Sequence, residues 1–199
     1  RRRRATTPAF DRTGATAEGL ARAYLTPQSL ALELAREIAE AIGQGTVVDA
    51  MCGAGGNAIA LARQGLDVIA VDLDGERLAM ARRNARLYGV EAKVEFIHGD
   101  GRAVLQERTY AAAFLDPPWV LGEGEVAPKH PTAAELEPLA AMLEACREVH
   151  VWIKLPVGTH LTGPLDPTAG WIVRAVFGQA PGDQRRIKFL VAGRSPATP

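Results

Sequence analysis

The chain has 199 residues, of which 47% are hydrophobic and 23% are charged, and its 23 basic side chains balance its 23 acidic ones. Such values are typical of one globular domain and exclude a disordered chain, and the two cysteines exclude a disulfide scaffold and a cysteine-rich metal site. No apolar run approaches the roughly 18 residues of a membrane-spanning helix, and the basic residues 1–4 precede no apolar signal core, so we expect a cytoplasmic protein.

The first predicted elements are an N-terminal arm over residues 1–23 and a domain over residues 24–199. The arm has no clean apolar period and is expected to be at most partly helical. Thr26 is predicted to cap the first long helix, because threonine is a favoured N-cap residue and proline, here Pro27, is favoured at the first helical position. Gly43 is predicted to end this helix.

Strands and helices then alternate along the chain. Asp74 is predicted to cap a helix that ends before Gly89, and Thr132 and Glu135 form a capping box for a helix that reaches about residue 149. The predicted strands are residues 46–50, 67–74, 93–100, 111–119, 149–155, 170–177 and 185–193. This pattern predicts an α/β, Rossmann-like fold with a seven-stranded, mostly parallel sheet and an antiparallel C-terminal hairpin.

Acidic residues follow three successive predicted strands. Ligands of such sheets bind beyond the carboxyl ends of the strands. There, Asp49 can face a charged amine, Asp72 can accept hydrogen bonds from ribose hydroxyls, and Asp100 can accept from the exocyclic amine of adenine. Three such carboxylates suit a nucleoside that carries a charged amine, so the sequence predicts S-adenosylmethionine as the cofactor and S-adenosylhomocysteine as the product.

A glycine-rich turn, residues 52–57 (CGAGGN), connects the first of these strands to a helix. Glycines let the backbone turn tightly and approach a ligand closely. Residues 53–58 also fit the dinucleotide pattern G-x-G-x-x-G/A, but the acidic strand ends favour a nucleoside over a pyrophosphate. Cys52 is interpreted as a small packing residue in this turn, and the scattered histidines predict no metal site.

A second motif, Asp116-Pro117-Pro118-Trp119, follows the fourth predicted strand. A turn of this kind is typical of methyl transfer to nitrogens that are conjugated with a ring or a carbonyl group. Asp116 and the Pro117 carbonyl can accept the N–H groups of such an amine and hold its nitrogen in line with the methyl group. Trp119 offers a flat face on which a base can stack. Asp116, Pro117 and Trp119 are therefore the predicted catalytic residues.

The glycine-rich segment, the DPPW turn and the upstream residues 23–35 (AYLTPQSLALELA) together resemble the RNA cap guanine-N2 methyltransferases, the trimethylguanosine synthase type. The resemblance implies a class I methyltransferase fold. Asp116 stands where this family usually has serine, and in that respect the chain resembles bacterial rRNA guanine-N2 methyltransferases. The complete predicted cofactor-binding set is Thr26, Asp49, Cys52, Gly53, Gly55, Asn57, Asp72, Leu73, Asp100 and Gly101.

The predicted function is transfer of a methyl group from S-adenosylmethionine to an exocyclic amine, with guanine N2 of RNA as the favoured acceptor. Adenine N6, a protein glutamine and a small molecule remain open as other acceptors, and a binding module without turnover remains open as another class. RNA is the expected partner, without a dedicated RNA-binding domain, and the oligomeric state is left open. Lys154, at the end of the fifth strand, is predicted either to contact a phosphate or to be a solvated lysine.

Overall fold

A computed structural model of the chain describes residues 9–117, 133–159, 163–180 and 182–196. Regular elements within these ranges alternate between helices and strands. The α-helices are α1 (Gly19–Tyr24), α2 (Gln28–Ile42), α3 (Gly56–Arg63), α4 (Gly75–Tyr88), α5 (Gly101–Glu107) and α6 (Ala133–Ala145). The strands are β1 (Thr46–Asp49), β2 (Asp67–Asp72), β3 (Val94–His98), β4 (Ala112–Leu115), β5 (His150–Leu155), β6 (Ile172–Phe177) and β7 (Ile187–Arg194). Short 3₁₀ helices cover Glu91–Lys93, Gly163–Leu165 and Pro167–Ala169.

The seven strands form one sheet in the order β3-β2-β1-β4-β5-β7-β6. The first five strands in this order are parallel to one another, and β7 runs antiparallel to both β5 and β6. The predicted fold class and the C-terminal hairpin are thus confirmed. The strand order reverses between β1 and β4, which makes the carboxyl ends of these two strands the expected position of a ligand.

Helices cover both faces of the sheet. Neighbouring residues of a strand point to opposite faces, so each strand contributes side chains to both apolar layers. Val47 packs into the apolar layer under α2, α3 and α4, whereas Val48 packs into the layer under α5 and α6. Both valines are fully buried. Burial of a side chain of this size contributes about 1.5–3 kcal/mol, so the two layers hold the central strands firmly in place.

Helix α2 begins later than predicted. Its N-cap is Pro27, without a side-chain capping bond, and its first residue is Gln28. The prediction that Thr26 caps this helix is wrong, because the Thr26 hydroxyl instead accepts a hydrogen bond from Lys154 Nζ at 3.0 Å. Gly43 ends the helix as predicted, with a positive φ of 66°.

The other predicted helix boundaries hold to different degrees. The Asp74 side chain accepts from the backbone N–H groups of Glu76 and Arg77, which confirms it as the cap of α4, and Gly89 ends that helix. Helix α6 ends at Ala145, earlier than predicted, and Thr132 of the predicted capping box lies outside the described residues. Helix α5 has no counterpart among the predictions, because it is short and buries only Val104 and Leu105 as large apolar side chains.

The N-terminal segment packs against α4 from residue 10 onward. The Tyr88 hydroxyl donates to Asp11 Oδ1 at 2.7 Å, and this hydrogen bond lowers the pKa of Asp11. The Asn84 side chain accepts from the Thr16 N–H and donates to the carbonyls of Thr16 and Ala54. This segment is therefore joined to the domain and to the glycine-rich loop, while the domain boundary at residue 24 stays a prediction. No helix in the described part of the chain has the length and apolar character that crossing a membrane would require.

Candidate cofactor and acceptor site

A cleft with an accessible volume of about 190 Å³, partly open to solvent, lies beyond the carboxyl ends of the strands around the β1–β4 reversal. Many of the site residues predicted from the sequence line this cleft. The predicted residues that line it are Thr26, Cys52, Gly53, Asn57, Asp72, Leu73, Asp100, Gly101 and Asp116.

The loop between β1 and α3 is held in place by backbone hydrogen bonds. The Cys52 N–H donates to the Val71 carbonyl at 2.8 Å, and the Gly55 N–H donates to the Cys52 carbonyl at 2.8 Å. Cys52 itself is buried, and burial raises the pKa of its thiol well above the usual value. The Cys52 side chain therefore packs as a neutral thiol, which agrees with its interpretation as a packing residue.

Gly55 forms the N-cap of α3 with a φ of +86°, a conformation that favours glycine. A Cβ atom at this position would lie 2.9 Å from Ala81 Cβ and 3.1 Å from Ala81 Cα. Gly55 is not part of the cleft wall. Its role in the structure is to let the loop and α4 approach each other.

Replacement of Gly55 by alanine is expected to lower the free energy of unfolding by about 2–4 kcal/mol, through backbone strain and overpacking against Ala81. Urea denaturation measures this change. Gly65→Ala is the matched control, because Gly65 has a φ of +89° with no atom within 4 Å of the added Cβ. Equal losses in the two variants would show that the contact with Ala81 contributes nothing.

Asp72 is oriented by the loop. Its Oδ2 accepts from the Gly53 N–H at 2.8 Å, and its Oδ1 accepts from the Asp74 N–H at 2.8 Å. Each carboxylate oxygen can accept more than one hydrogen bond, so both retain capacity for the hydroxyl groups of a ligand. The side chain is nearly buried but reaches the cleft. The loop and the end of β2 thus form one rigid unit.

Asp49, at the end of β1, is fully buried and is not part of the cleft wall. Neither of its carboxylate oxygens has a hydrogen-bond partner among the described residues. Burial, reinforced by the negative charges of Asp116 and Asp72, raises its pKa to about 8. The backbone amides of Met51 and Ala58 favour the anion, but by less than burial disfavours it. A buried carboxyl group without a partner is costly, and a cationic ligand group would relieve that cost.

Asp100 lines the cleft, but its side chain is already engaged. It caps α5 by accepting from the Arg102 N–H at 2.9 Å, and its Oδ2 pairs with Arg102 Nη2 at 2.8 Å. The contacts with Arg102 lower the pKa of Asp100. The sequence interpretation had not anticipated this helix-capping role. Contact of Asp100 with adenine stays a prediction, and it would use the remaining acceptor capacity of the carboxylate.

Asp116 follows β4 and belongs to a nearly buried polar network. Its Oδ2 accepts from Lys154 Nζ at 2.7 Å and from Asn57 Nδ2 at 3.3 Å. The lysine and aspartate side chains are 13% and 10% exposed. The interpretation of Lys154 as a solvated lysine is therefore wrong, because the folded chain turns this cation inward onto Asp116, whereas its contact with a phosphate stays a prediction.

The structure describes only one of the other two predicted catalytic residues. Pro117 is described and partly buried, whereas Trp119 lies outside the described residues. Leu73, in contrast, is described and is 74% exposed beside the cleft, which leaves its apolar side chain open to a flat ligand surface. The roles of Pro117, Trp119 and Leu73 stay predictions.

Several lining residues were missed by the sequence interpretation. Ala21 and Leu25 come from the N-terminal segment, Arg77 from α4 and Met142 from α6. Leu25 lies in the segment of residues 23–35 that carries part of the family resemblance, but it was not singled out there, and the other three are part of no motif. They reach the cleft because α1, α4 and α6 pack around the ends of the strands, and no local sequence signal could have identified them.

The strand order, the glycine-rich loop and the acidic strand ends around one cleft define a class I S-adenosylmethionine-dependent methyltransferase domain. Residues 44–123 match the family model described as RNA cap guanine-N2 methyltransferase, so the resemblance to this family is confirmed over that segment.

Comparison with individual proteins supports the same class. The chain is 32% identical to trimethylguanosine synthase of Schizosaccharomyces pombe over 101 residues, 48% of this chain and 42% of that protein. It is 30% identical to a release factor glutamine methyltransferase of Gloeobacter violaceus over 132 residues, 62% of this chain and 46% of that protein. The matched segments thus span less than half of either relative.

Among solved structures, a SAM-dependent methyltransferase from Agrobacterium tumefaciens has the same fold. It superposes with a TM-score of 0.60 over 86% of this chain and 63% of that chain, at 20% identity.

Proposed function

We propose that this chain transfers the methyl group of S-adenosylmethionine to the exocyclic N2 amine of guanine in RNA. One observation carries the proposal. Asp116, the first residue of the DPPW turn, lines the same cleft as the glycine-rich loop and the acidic residues after β2 and β3. A cofactor held by the loop and an amine held by the turn would therefore meet in one cavity.

The residues around the cleft fit the cofactor. When bound, S-adenosylmethionine supplies a methyl group on a positively charged sulfur, which leaves as a neutral thioether. The carboxyl of Asp49, which has no hydrogen-bond partner in the described part of the chain, suits the charged amine of the methionine moiety. Asp72 has acceptor capacity for the ribose hydroxyls, and Leu73 offers apolar surface to the adenine. Thr26, Cys52, Gly53 and Gly101 complete the proposed cofactor surface.

Asp116 and the Pro117 carbonyl are proposed to accept the N–H groups of the acceptor amine. An amine conjugated with a ring is a poor nucleophile, because its lone pair is delocalised into the ring. Two fixed hydrogen-bond acceptors orient the nitrogen and stabilise the positive charge that develops on it during transfer. Proline is well suited to this position, since its restricted φ fixes the direction of the carbonyl.

Guanine in RNA is the favoured acceptor because the matched family model is described as RNA cap guanine-N2 methyltransferase and the Schizosaccharomyces pombe relative is a trimethylguanosine synthase. A base inside a duplex would have to be extruded to reach the cleft, so single-stranded or looped RNA is the simpler substrate. A cytoplasmic location is part of the same proposal.

A protein glutamine amide is the second candidate acceptor. The match to the release factor glutamine methyltransferase covers more of this chain than the match to trimethylguanosine synthase. A side-chain amide is also planar and conjugated, so the same pair of acceptors could hold it.

The proposal is tested by methyl transfer from tritiated S-adenosylmethionine to separate RNA, DNA and protein fractions, followed by nucleoside and amino-acid analysis. We expect label in N2-methylguanosine. Label in methylglutamine or N6-methyladenosine would show that the acceptor is a glutamine amide or adenine N6 and not guanine N2. Calorimetry should show binding of S-adenosylhomocysteine and not of NAD, and the opposite result would overturn the proposed cofactor.

Replacement of Trp119 by alanine should mainly weaken acceptor binding. Loss of one base–aromatic stack costs about 1–3 kcal/mol, which corresponds to a rise in KM of about 5- to 150-fold. Steady-state kinetics with the RNA fraction that the wild type methylates measures this KM. Trp171→Ala is the control for loss of a tryptophan on the C-terminal side of the domain. An unchanged KM would show that Trp119 does not contact the acceptor.

A further inference from the structure

Lys154 occupies a position that the proposed function does not yet explain. Its Nζ lies 2.7 Å from Asp116 Oδ2, 3.0 Å from Thr26 Oγ1 and 5.3 Å from the centre of the Phe189 ring. These three partners belong to the end of β4, the segment before α2, and β7. A lysine held from three sides has lost most of the conformational freedom of its long side chain, so its ammonium group has a defined position.

We propose that Lys154 is a positioning residue that locks the Asp116 carboxylate in the orientation required to grip the acceptor amine. The inference rests on the proposed function, and it applies to any conjugated nitrogen as acceptor. Lys154 itself need not touch the substrate.

The atoms used in the network support this role. The contacts from Lys154 and Asn57 both go to Asp116 Oδ2. Neither of these two contacts uses Oδ1, and the Asp116 side chain lines the cleft. Two donors on one oxygen restrict rotation of the carboxylate, and the other oxygen is then available to accept an N–H from the acceptor.

The charges near the strand ends provide a second reason. Asp49 and Asp116 lie close enough for the charge of Asp116 to raise the pKa of Asp49, and Asp72 acts on Asp49 in the same way. Like charges repel, so an unpaired Asp116 would tend to turn away from this acidic cluster toward solvent. The ammonium of Lys154 opposes this movement, and its effect is strong because the pair is nearly buried.

Thr26 extends the network to the start of α2. Its hydroxyl is nearly buried and accepts from Lys154, and the same residue lines the cleft. Thr26 and Phe189 are thus contacts of the lysine that do not depend on Asp116, and they help to keep the ammonium in place if the carboxylate moves.

The test is Lys154→Met, which keeps most of the length of the side chain and removes its charge. Displacement of a catalytic group by about 1 Å can cost about 100-fold in rate, so we expect kcat to fall by about 100-fold. The affinity for S-adenosylhomocysteine, measured by calorimetry, should stay near that of the wild type. Lys188→Met is the matched control, because Lys188 pairs with the buried Asp183 in the hairpin at 2.6 Å, away from the cleft residues.

A double-mutant cycle separates positioning from general structural damage. If Lys154 acts through Asp116, Lys154→Met should cause little further loss of kcat in an Asp116→Asn background, where the charge to be held is gone. An equal fold loss in both backgrounds, or a wild-type kcat in Lys154→Met, would overturn the inference. If Lys154→Met does not fold, Lys154→Arg replaces it in both backgrounds, since it retains the charge and changes the position of the donors.

Failure of this inference can be distinguished from failure of the proposed function. The variants are assayed with whichever of the RNA, DNA and protein fractions the wild type methylates. Methylation of DNA or protein alone would reject guanine in RNA as the acceptor and would leave the kcat comparison of Lys154→Met intact. A wild type that methylates none of the three fractions would overturn both proposals.

Discussion

Replacement of Asp116 by alanine is expected to lower kcat for methyl transfer by about 10²–10³-fold, the cost of removing one preorganised group that stabilises developing charge. The affinity for S-adenosylhomocysteine should stay close to that of the wild type, because the proposed cofactor contacts come from the glycine-rich loop and the ends of β1, β2 and β3. Steady-state kinetics and calorimetry measure the two quantities separately.

The Asp116→Ala variant also leaves Lys154 without its carboxylate partner, so some loss of stability is expected. Removal of one member of a buried ion pair costs up to about 3 kcal/mol when the pair is partly accessible to water. Asp183→Ala is the matched control, since it removes the partner of Lys188 and leaves the cleft unchanged. If both variants retain wild-type kcat after correction for the folded fraction, the proposed role of the DPPW turn is wrong.

Replacement of Asp49 by asparagine is expected to change how cofactor binding depends on pH. The wild-type carboxyl has its pKa raised to about 8, so it is mostly neutral at pH 6, and pairing with a charged amine requires it to lose its proton. The affinity for S-adenosylhomocysteine should therefore rise by up to about tenfold per pH unit between pH 6 and 8. In Asp49→Asn the affinity should be lower at pH 8 and nearly independent of pH in this range.

Asp49 should also affect the stability of the free chain. A carboxyl whose pKa is higher in the folded state than in the unfolded state binds more protons when folded, so stability falls as pH rises from about 4 to about 8. The total effect is about 6 kcal/mol at most. Asp49→Asn should remove this slope, whereas Asp67→Asn, at an exposed carboxylate paired with Lys93, should retain it. An identical pH profile of urea denaturation in wild type and Asp49→Asn would contradict the raised pKa that burial gives this group.

Local patterns in the sequence predicted most of the fold because they depend on short-range chemistry. Short apolar runs marked all seven strands, and Asp74 and Gly89 marked the two ends of α4. Thr26 was misassigned for the same reason, since a threonine before proline has the local pattern of a helix cap. Its actual partner, Lys154, is 128 residues away in the sequence, and no local pattern reports such a contact.

The N-terminal segment shows the same limit. Its sequence has no apolar period, yet Phe10 packs near Tyr88, Thr16 bonds to Asn84, and Ala21 reaches the cleft wall. These contacts depend on the surface that α4 and the glycine-rich loop form in the folded domain. A segment that is irregular by itself becomes part of the site only through the surface it meets.

The sequence alone therefore determined the class of fold, the cofactor and the residues at the strand ends, because the glycine-rich turn, the acidic residues after strands and the DPPW turn are contiguous motifs whose chemistry is local. Only the tertiary structure decided that Lys154 turns inward onto Asp116 and that Asp49 is buried without a hydrogen-bond partner among the described residues. The physical reason is that burial and pairing of a charge depend on all the elements packed around it. Parallel strands bring together side chains that lie far apart along the chain.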